Sequence, residues 1–136
     1  MSYRCNILIL DDEPIVGDRL KKLLEKDGHQ VEGFVDPFRA VQRLEDKDFD
    51  IVISDIRMRE MDGIQVMNEV FQKSKRIKVI LITGYATLEL ARESLTKGAF
   101  DFIAKPFKAQ EIRNTIQKAA EALKQGERQA PETTNV

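Results

Sequence analysis

The chain has a single cysteine, Cys5, so an internal disulfide is excluded, and the thiol's place inside an apolar run reads as a small buried core residue in a reducing compartment. It also has a single histidine, His29, in a turn between a helix pattern and a strand pattern, where we expect it to be exposed. One histidine far from any strand end is a poor proton relay, and we give it no catalytic part. Neither sign of charge dominates: 22 basic residues oppose 23 acidic ones, for a formal net charge of -1. That balance provides no electrostatic footprint for nucleic acid. No apolar run is long enough to span a bilayer, and residues 1–4 precede too short an apolar run to be a secretion signal, so no membrane partner is expected and the cytoplasm is the expected location. Residues 126–136 lack apolar periodicity and read as a disordered tail or a linker remnant. The remaining stretch, 1–125, is long enough for one domain with a sizeable core.

Within that stretch, five short β-branched runs, at 5–10, 31–35, 51–55, 78–83 and 100–104, read as strands, and those at 5–10, 51–55 and 78–83 are apolar almost throughout. Unbroken apolarity marks a strand covered on both faces. Between the runs, apolar residues recur with helical spacing. Val16, Leu20, Leu23 and Leu24 form one stripe, Phe38, Val41 and Leu44 a second, and Ile64, Met67, Val70 and Phe71 a third. Leu88, Ala91 and Leu95 form the fourth, and Ile112, Ile116, Ala119, Ala120 and Leu123 the fifth. Pro14 suits the first turn of the first helix, Asp36-Pro37 a capped start to the second, and Thr87 a cap for the fourth, while Gly28 and Gly98 end helices. Strands alternating with amphipathic helices imply right-handed crossovers. The expected fold is α/β: a three-layer, doubly wound, five-stranded parallel sheet.

Such sheets bind ligands beyond the carboxyl ends of their strands. There this sequence places Asp11 and Asp12 after the first run, Asp55 at the end of the third, Thr83 at the end of the fourth and Lys105 after the fifth. Each has a bland reading, such as a turn aspartate, a helix cap or a solvated lysine. Polar endings on four otherwise apolar strands are harder to explain that way. Three carboxylates brought to one sheet edge repel one another unless a cation intervenes, and magnesium binds through one or two carboxylates together with a phosphate. Lys105 adds a mobile positive charge, and the Thr83 hydroxyl can donate to a phosphoryl oxygen.

The ordered set 7–14 (Ile-Leu-Ile-Leu-Asp-Asp-Glu-Pro), the Asp55 strand, Thr83-Gly84-Tyr85-Ala86 and Lys105-Pro106-Phe107 resembles the receiver domains of two-component response regulators, over roughly the first nine-tenths of the chain. The Asp55-Ile56-Arg57-Met58 and Thr83-Gly84-Tyr85-Ala86-Thr87 segments are most similar to receivers of the nitrogen-regulation (NtrC) type, which usually precede an ATPase and a DNA-binding domain. The resemblance implies the flavodoxin-like (CheY-like) strand order 2-1-3-4-5. It also implies a signalling domain that catalyses only its own phosphorylation and dephosphorylation. By the same resemblance Asp55 takes a phosphoryl group from a sensor histidine kinase or phosphotransfer protein. Asp12 and Asp55 ligate Mg2+ directly, Asp11 does so through water, and the backbone carbonyl of Arg57 completes the protein ligands. Thr83 and Lys105 contact the phosphoryl group, and Phe102 is the rotating aromatic of the switch. The output partner is unknown, and a phosphorylation-dependent homodimer is an option of the family.

Two features qualify that picture. Arg59-Glu60 stands where the family pattern has Pro-Gly, so the loop after Asp55 lacks proline's fixed dihedral. We expect the Lys105-Pro106 bond to be cis, because the chain must deliver the Lys105 ammonium to the acidic site while Phe107 turns back toward the last helix. Other classes fit less well. A flavin module would need a phosphate cradle where Asp11-Asp12-Glu13 stands. An aspartyl-phosphate hydrolase would place its nucleophile on the first strand and enclose its substrate with more chain. The alternative kept open is a receiver-like binding module that works without phosphorylation.

Overall fold

In the computed structural model, which describes residues 4–134 and side chains through residue 126, the apolar runs pair into one parallel sheet. Its strands are β1 (Asn6–Leu10), β2 (Gln30–Phe34), β3 (Ile51–Asp55), β4 (Lys78–Thr83) and β5 (Asp101–Ala104), in the order β2-β1-β3-β4-β5. The helices are α1 (Pro14–Lys26), α2 (Pro37–Asp46), α3 (Gly63–Lys73), α4 (Leu88–Thr96) and α5 (Ala109–Thr134), with one 3-10 turn, Tyr85–Thr87, before α4. The α5 helix therefore continues past Gly126, into the segment read from sequence as a tail or linker. Among the described residues no helix is long and apolar enough to cross a membrane.

The period-2 geometry of a strand sorts the core into two halves. Ile7, Ile9, Ile51, Ile53, Ile80 and Ile82 face one way, against Leu20 and Leu24 of α1 and Ile112, Ile116, Ala119 and Leu123 of α5. Leu8, Leu10, Val52, Val79 and Leu81 face the other way, against Ala40 and Leu44 of α2, Val66, Met67 and Val70 of α3, and Ala91 of α4. Burying each of these larger side chains contributes roughly 1.5–3 kcal/mol, which is why the three central runs must be apolar along their whole length.

Several local expectations differ from the structure. Phe38 and Leu95, read as core residues, are 52% and 42% exposed. Ala40, not Phe38, packs α2 beside Leu44, because α2 lies against Leu8 and Leu10 of the sheet and against α3 with Phe38 on its outer side. His29 is half-buried, not exposed: its Nδ1 accepts the Cys5 backbone N–H at 3.1 Å. Burial holds its pKa below the usual 6.5, opposed by the charge of Asp27, which itself is bonded to Arg113 at 3.0 Å. On the edge strand β2, Glu32 is gripped by Arg43 (2.9 and 3.2 Å) and Lys47 (2.9 Å). The Arg43 hydrogen bonds, reinforced by Lys47, lower the Glu32 pKa from 4.5 to about 2 despite some burial.

Candidate functional site

Register carries the polar residues to one place. Leu10 lies opposite Ser54, so the next residues along those strands, Asp11 and Asp55, are neighbours at the carboxyl edge. Thr83 lies opposite Ala104, which puts Lys105 one step beyond on the adjacent strand. Asp11, Asp12 and Asp55 each offer a carboxylate oxygen, and the three lie within 4.8 Å of one another. The Lys105 Nζ reaches into this group, 3.0 Å from Asp55 Oδ2, 3.2 Å from Glu13 Oε1 and 3.4 Å from Asp11 Oδ2. The Lys105-Pro106 peptide is cis.

The environments of the carboxylates differ. Asp11 is 1% exposed and Asp55 6%, whereas Asp12 faces solvent. Asp11 Oδ1 accepts the Glu13 backbone N–H at 2.9 Å, but its buried Oδ2 accepts no hydrogen bond among the described residues, although the Lys105 charge lies 3.4 Å from it. Burial, aided by the charge of Asp55, raises the Asp11 pKa against the pull of the Glu13 N–H and Lys105. For Lys105 burial is the largest single influence and would lower the pKa, yet it is outweighed by the hydrogen bond to Asp55, the charges of Asp11 and Asp55, and the Glu13 bond. The net shift is upward, and the ammonium stays charged. Three carboxylates thus meet one ammonium, a fourth, Asp12, lies in the same cluster, and a buried lone pair is left over. That donor set, oxygen-rich and short of positive charge, suits a hard divalent cation.

The loop after β3 is built to close over Asp55. Arg57 N–H donates to Asp55 Oδ1 at 3.3 Å, and Gly63 N–H donates to Ile56 O at 2.8 Å. A Cβ on Gly63 would lie 2.6 Å from the Asp55 carbonyl oxygen, so only glycine permits this approach. Asp62 and Gln65 then exchange capping bonds of 2.8 and 2.9 Å that start α3. Arg59 and Glu60, which stand where the family pattern has proline and glycine, are exposed, and the chain still bends there before the α3 cap. A cavity of about 260 Å³ opens beside the acid cluster, lined by residues including Asp12, Glu13, Asp55, Arg57, Thr87 and Lys105.

These features, an aspartate at the end of a central strand with two further aspartates and a lysine around it, coincide with a sequence match. Residues 7–117 match the model of the response regulator receiver domain. The chain belongs to the response regulator receiver family. This receiver is 39% identical over 113 residues to the regulatory protein AtoC of Escherichia coli, covering 83% of the chain and 24% of the relative. It is 32% identical over 121 residues to the C4-dicarboxylate transport transcriptional regulatory protein DctD of Rhizobium meliloti, covering 89% and 26%. It thus spans about a quarter of the length of these curated relatives. Among solved structures, a receiver domain protein from Clostridium thermocellum superposes with a TM-score of 0.83 at 29% identity, covering 88% of this chain and 96% of that one. NtrX from Brucella abortus gives 0.88 at 28%, covering 93% and 29%. The relatives are regulators of the NtrC type, and the sheet order is that of the family.

The receiver's structure brings Asp11, Asp12, Asp55 and Lys105 together, but leaves two expected residues apart. Thr83 is completely buried, and among the described residues its hydroxyl bonds to Gly84 O and Thr87, not to Asp55. Phe102 is half-buried against the α2–α4 side of the core and does not line the cavity. Two residues of the site were not singled out from sequence. Glu13, whose signal was only its place in the Asp-Asp-Glu run, bonds Lys105. Thr87, expected to cap α4, makes no side-chain cap bond and faces the site instead.

Proposed function

We propose that this receiver, comprising residues 1–125, accepts a phosphoryl group on Asp55 from a sensor histidine kinase or a phosphotransfer protein, and that the modification switches its protein contacts in cytoplasmic two-component signalling. The observation that carries the reading is the convergence of Asp11, Asp12 and Lys105 on the Asp55 carboxylate. Asp12 and Asp55 directly, Asp11 through water and the Arg57 carbonyl would hold Mg2+; the unsatisfied buried Oδ2 of Asp11 and the surplus of carboxylates support that donor set. When bound, the ion supplies charge neutralisation for the phosphoryl oxygens.

The chain's own residues do the rest. An Asp55 carboxylate oxygen attacks phosphorus in line, forming a P–O bond while the donor's P–N bond breaks and its electron pair leaves on the imidazole. Lys105, positioned by the β5 end, neutralises oxygen charge as it develops. Thr83 then turns toward the phosphoryl group and draws the following loop inward, which frees space for Phe102 and alters the surface over α4 and α5. Tyr85, Leu90 and Leu95, exposed at 95%, 36% and 42%, leave apolar surface there for an output partner or a second copy. No direct contact with nucleic acid or membrane is assigned to the domain. The segment after residue 125, helical as far as Thr134, is proposed as a tail or linker outside the receiver.

Incubation with acetyl phosphate and magnesium should add one phosphoryl mass to the wild type and none to Asp55→Asn. Labelling of Asp55→Asn at the wild-type rate would refute the assignment. A wild type that never labels but still engages partners would favour the phosphorylation-independent module.

A further inference from the structure

Thr87 occupies the N-cap of α4, where a threonine hydroxyl ordinarily accepts an amide N–H of the first helical turn. It makes no such bond here. Its Oγ1 lies 2.6 Å from the Oγ1 of Thr83 and 3.5 Å from the Gly84 carbonyl oxygen, and Thr83 donates to that same carbonyl at 3.0 Å. Each hydroxyl has one proton and two lone pairs. With the Thr83 proton on Gly84 O, the short contact is Thr87 donating to Thr83, so both a proton and a lone pair of Thr83 are engaged within the loop after β4. Thr83 has no exposed surface, and a buried hydroxyl gives up partners only for equivalent ones.

We propose that Thr87 is a positioning residue whose hydroxyl holds Thr83 on the Gly84 carbonyl and turned from Asp55, and so sets how readily the receiver switches. The proposal rests on the phosphoacceptor reading of Asp55. For Thr83 to meet a phosphoryl oxygen it must leave Gly84 and forfeit the Thr87 bond. The net difference is one neutral hydrogen bond, which corresponds to roughly a threefold to tenfold change in the switching equilibrium. The same Thr87 lines the cavity beside Asp55 and Lys105, so its hydroxyl is placed to respond to whatever occupies that cavity.

The full chain is compared with Thr87→Val, Thr87→Ser, Thr83→Val and the Thr83→Val/Thr87→Val pair. Acetyl phosphate with magnesium is the phosphoryl donor, intact mass reads uptake, and amide NMR shifts of residues 83–87 read the switch. In Thr87→Val the unphosphorylated shifts should move toward the phosphorylated positions, and the switched fraction should rise about threefold to tenfold. Thr87→Ser should restore wild-type values, and removing the Thr87 hydroxyl should change nothing further once Thr83 is valine. Unchanged or reduced switching in Thr87→Val, failure of serine to rescue, or an effect that persists without the Thr83 hydroxyl would overturn the proposal. A wild type that takes no phosphoryl group would instead remove the reading of Asp55 and this proposal with it.

Discussion

Replacing Gly63 by alanine tests whether the loop after β3 is clamped onto the strand that ends in Asp55. The added Cβ would stand 2.6 Å from the Asp55 carbonyl oxygen, 2.9 Å from Ile56 Cα and 3.2 Å from the Asp55 carbonyl carbon. All three are backbone atoms, so no side-chain rotation relieves the contact, and the 2.8 Å bond from Gly63 N–H to Ile56 O resists separation of the two segments. Overpacking of this kind costs about 1–3 kcal/mol. Alanine's better helix propensity returns at most about 1 kcal/mol, and less at the first helical residue than in the middle. The net loss should be about 1–2 kcal/mol, a fall in Tm of roughly 3–10 °C for a domain of this size. Gly17→Ala is the control, because a Cβ there meets nothing within 4 Å in the middle of α1. It should gain about 0.5–1 kcal/mol. Thermal and urea unfolding followed by circular dichroism gives both values. Labelling of Asp55 by acetyl phosphate should slow in Gly63→Ala alone, since the displaced backbone belongs to Asp55. A Gly63→Ala protein as stable as wild type would refute the close-approach argument.

Three further outcomes follow from the ionised groups. Lys105→Met removes the ammonium bonded to Asp55 and Glu13 and should lower phosphoryl uptake by about 10²–10³-fold; an unchanged rate would refute its proposed role in the transfer. The folded pKa of Glu32 is depressed from 4.5 to about 2, so its stabilisation is present above pH 4.5 and is lost as pH falls toward 2. The carboxylate is 30% exposed, and after solvent screening we expect about 1 kcal/mol. Glu32→Gln should therefore be less stable at pH 7 by that amount and equal to wild type near pH 2, and a constant gap across this range would defeat the account. For His29 the depressed pKa has the opposite chemistry but the same direction: the unfolded chain binds more protons below 6.5, so stability falls as pH drops through that value. In His29→Gln that fall between pH 7.5 and 5.5 should shrink; urea midpoints that track wild type would exclude the histidine as its source.

Much of this molecule follows from side-chain pattern alone. The unbroken apolar runs ending in Asp11, Asp55 and Thr83 required a doubly covered sheet, because no other packing removes both faces of such strands from water. Helix stripes such as Leu20 and Leu24, or Ile112 and Ile116, supplied the covering layers. Once parallel order is assumed, polar residues at strand ends must share an edge, so the acid cluster was legible as a set. Tertiary structure decided what depends on distances between segments far apart in the chain. Whether Phe38 or Ala40 faces the core turned on how α2 lies against Leu8 and Leu10 of the sheet and against α3. His29 became half-buried because β1 offered it the Cys5 N–H, and no local signal announces a donor 24 residues away. Glu13 and Thr87 joined the site only when β5 delivered Lys105 and the loop after β4 folded Thr87 onto Thr83. A hydroxyl at a helix start reads as a cap in any sequence. Only the folded loop shows that here it is bonded elsewhere, since hydrogen-bond geometry, unlike hydrophobic periodicity, has no one-dimensional trace.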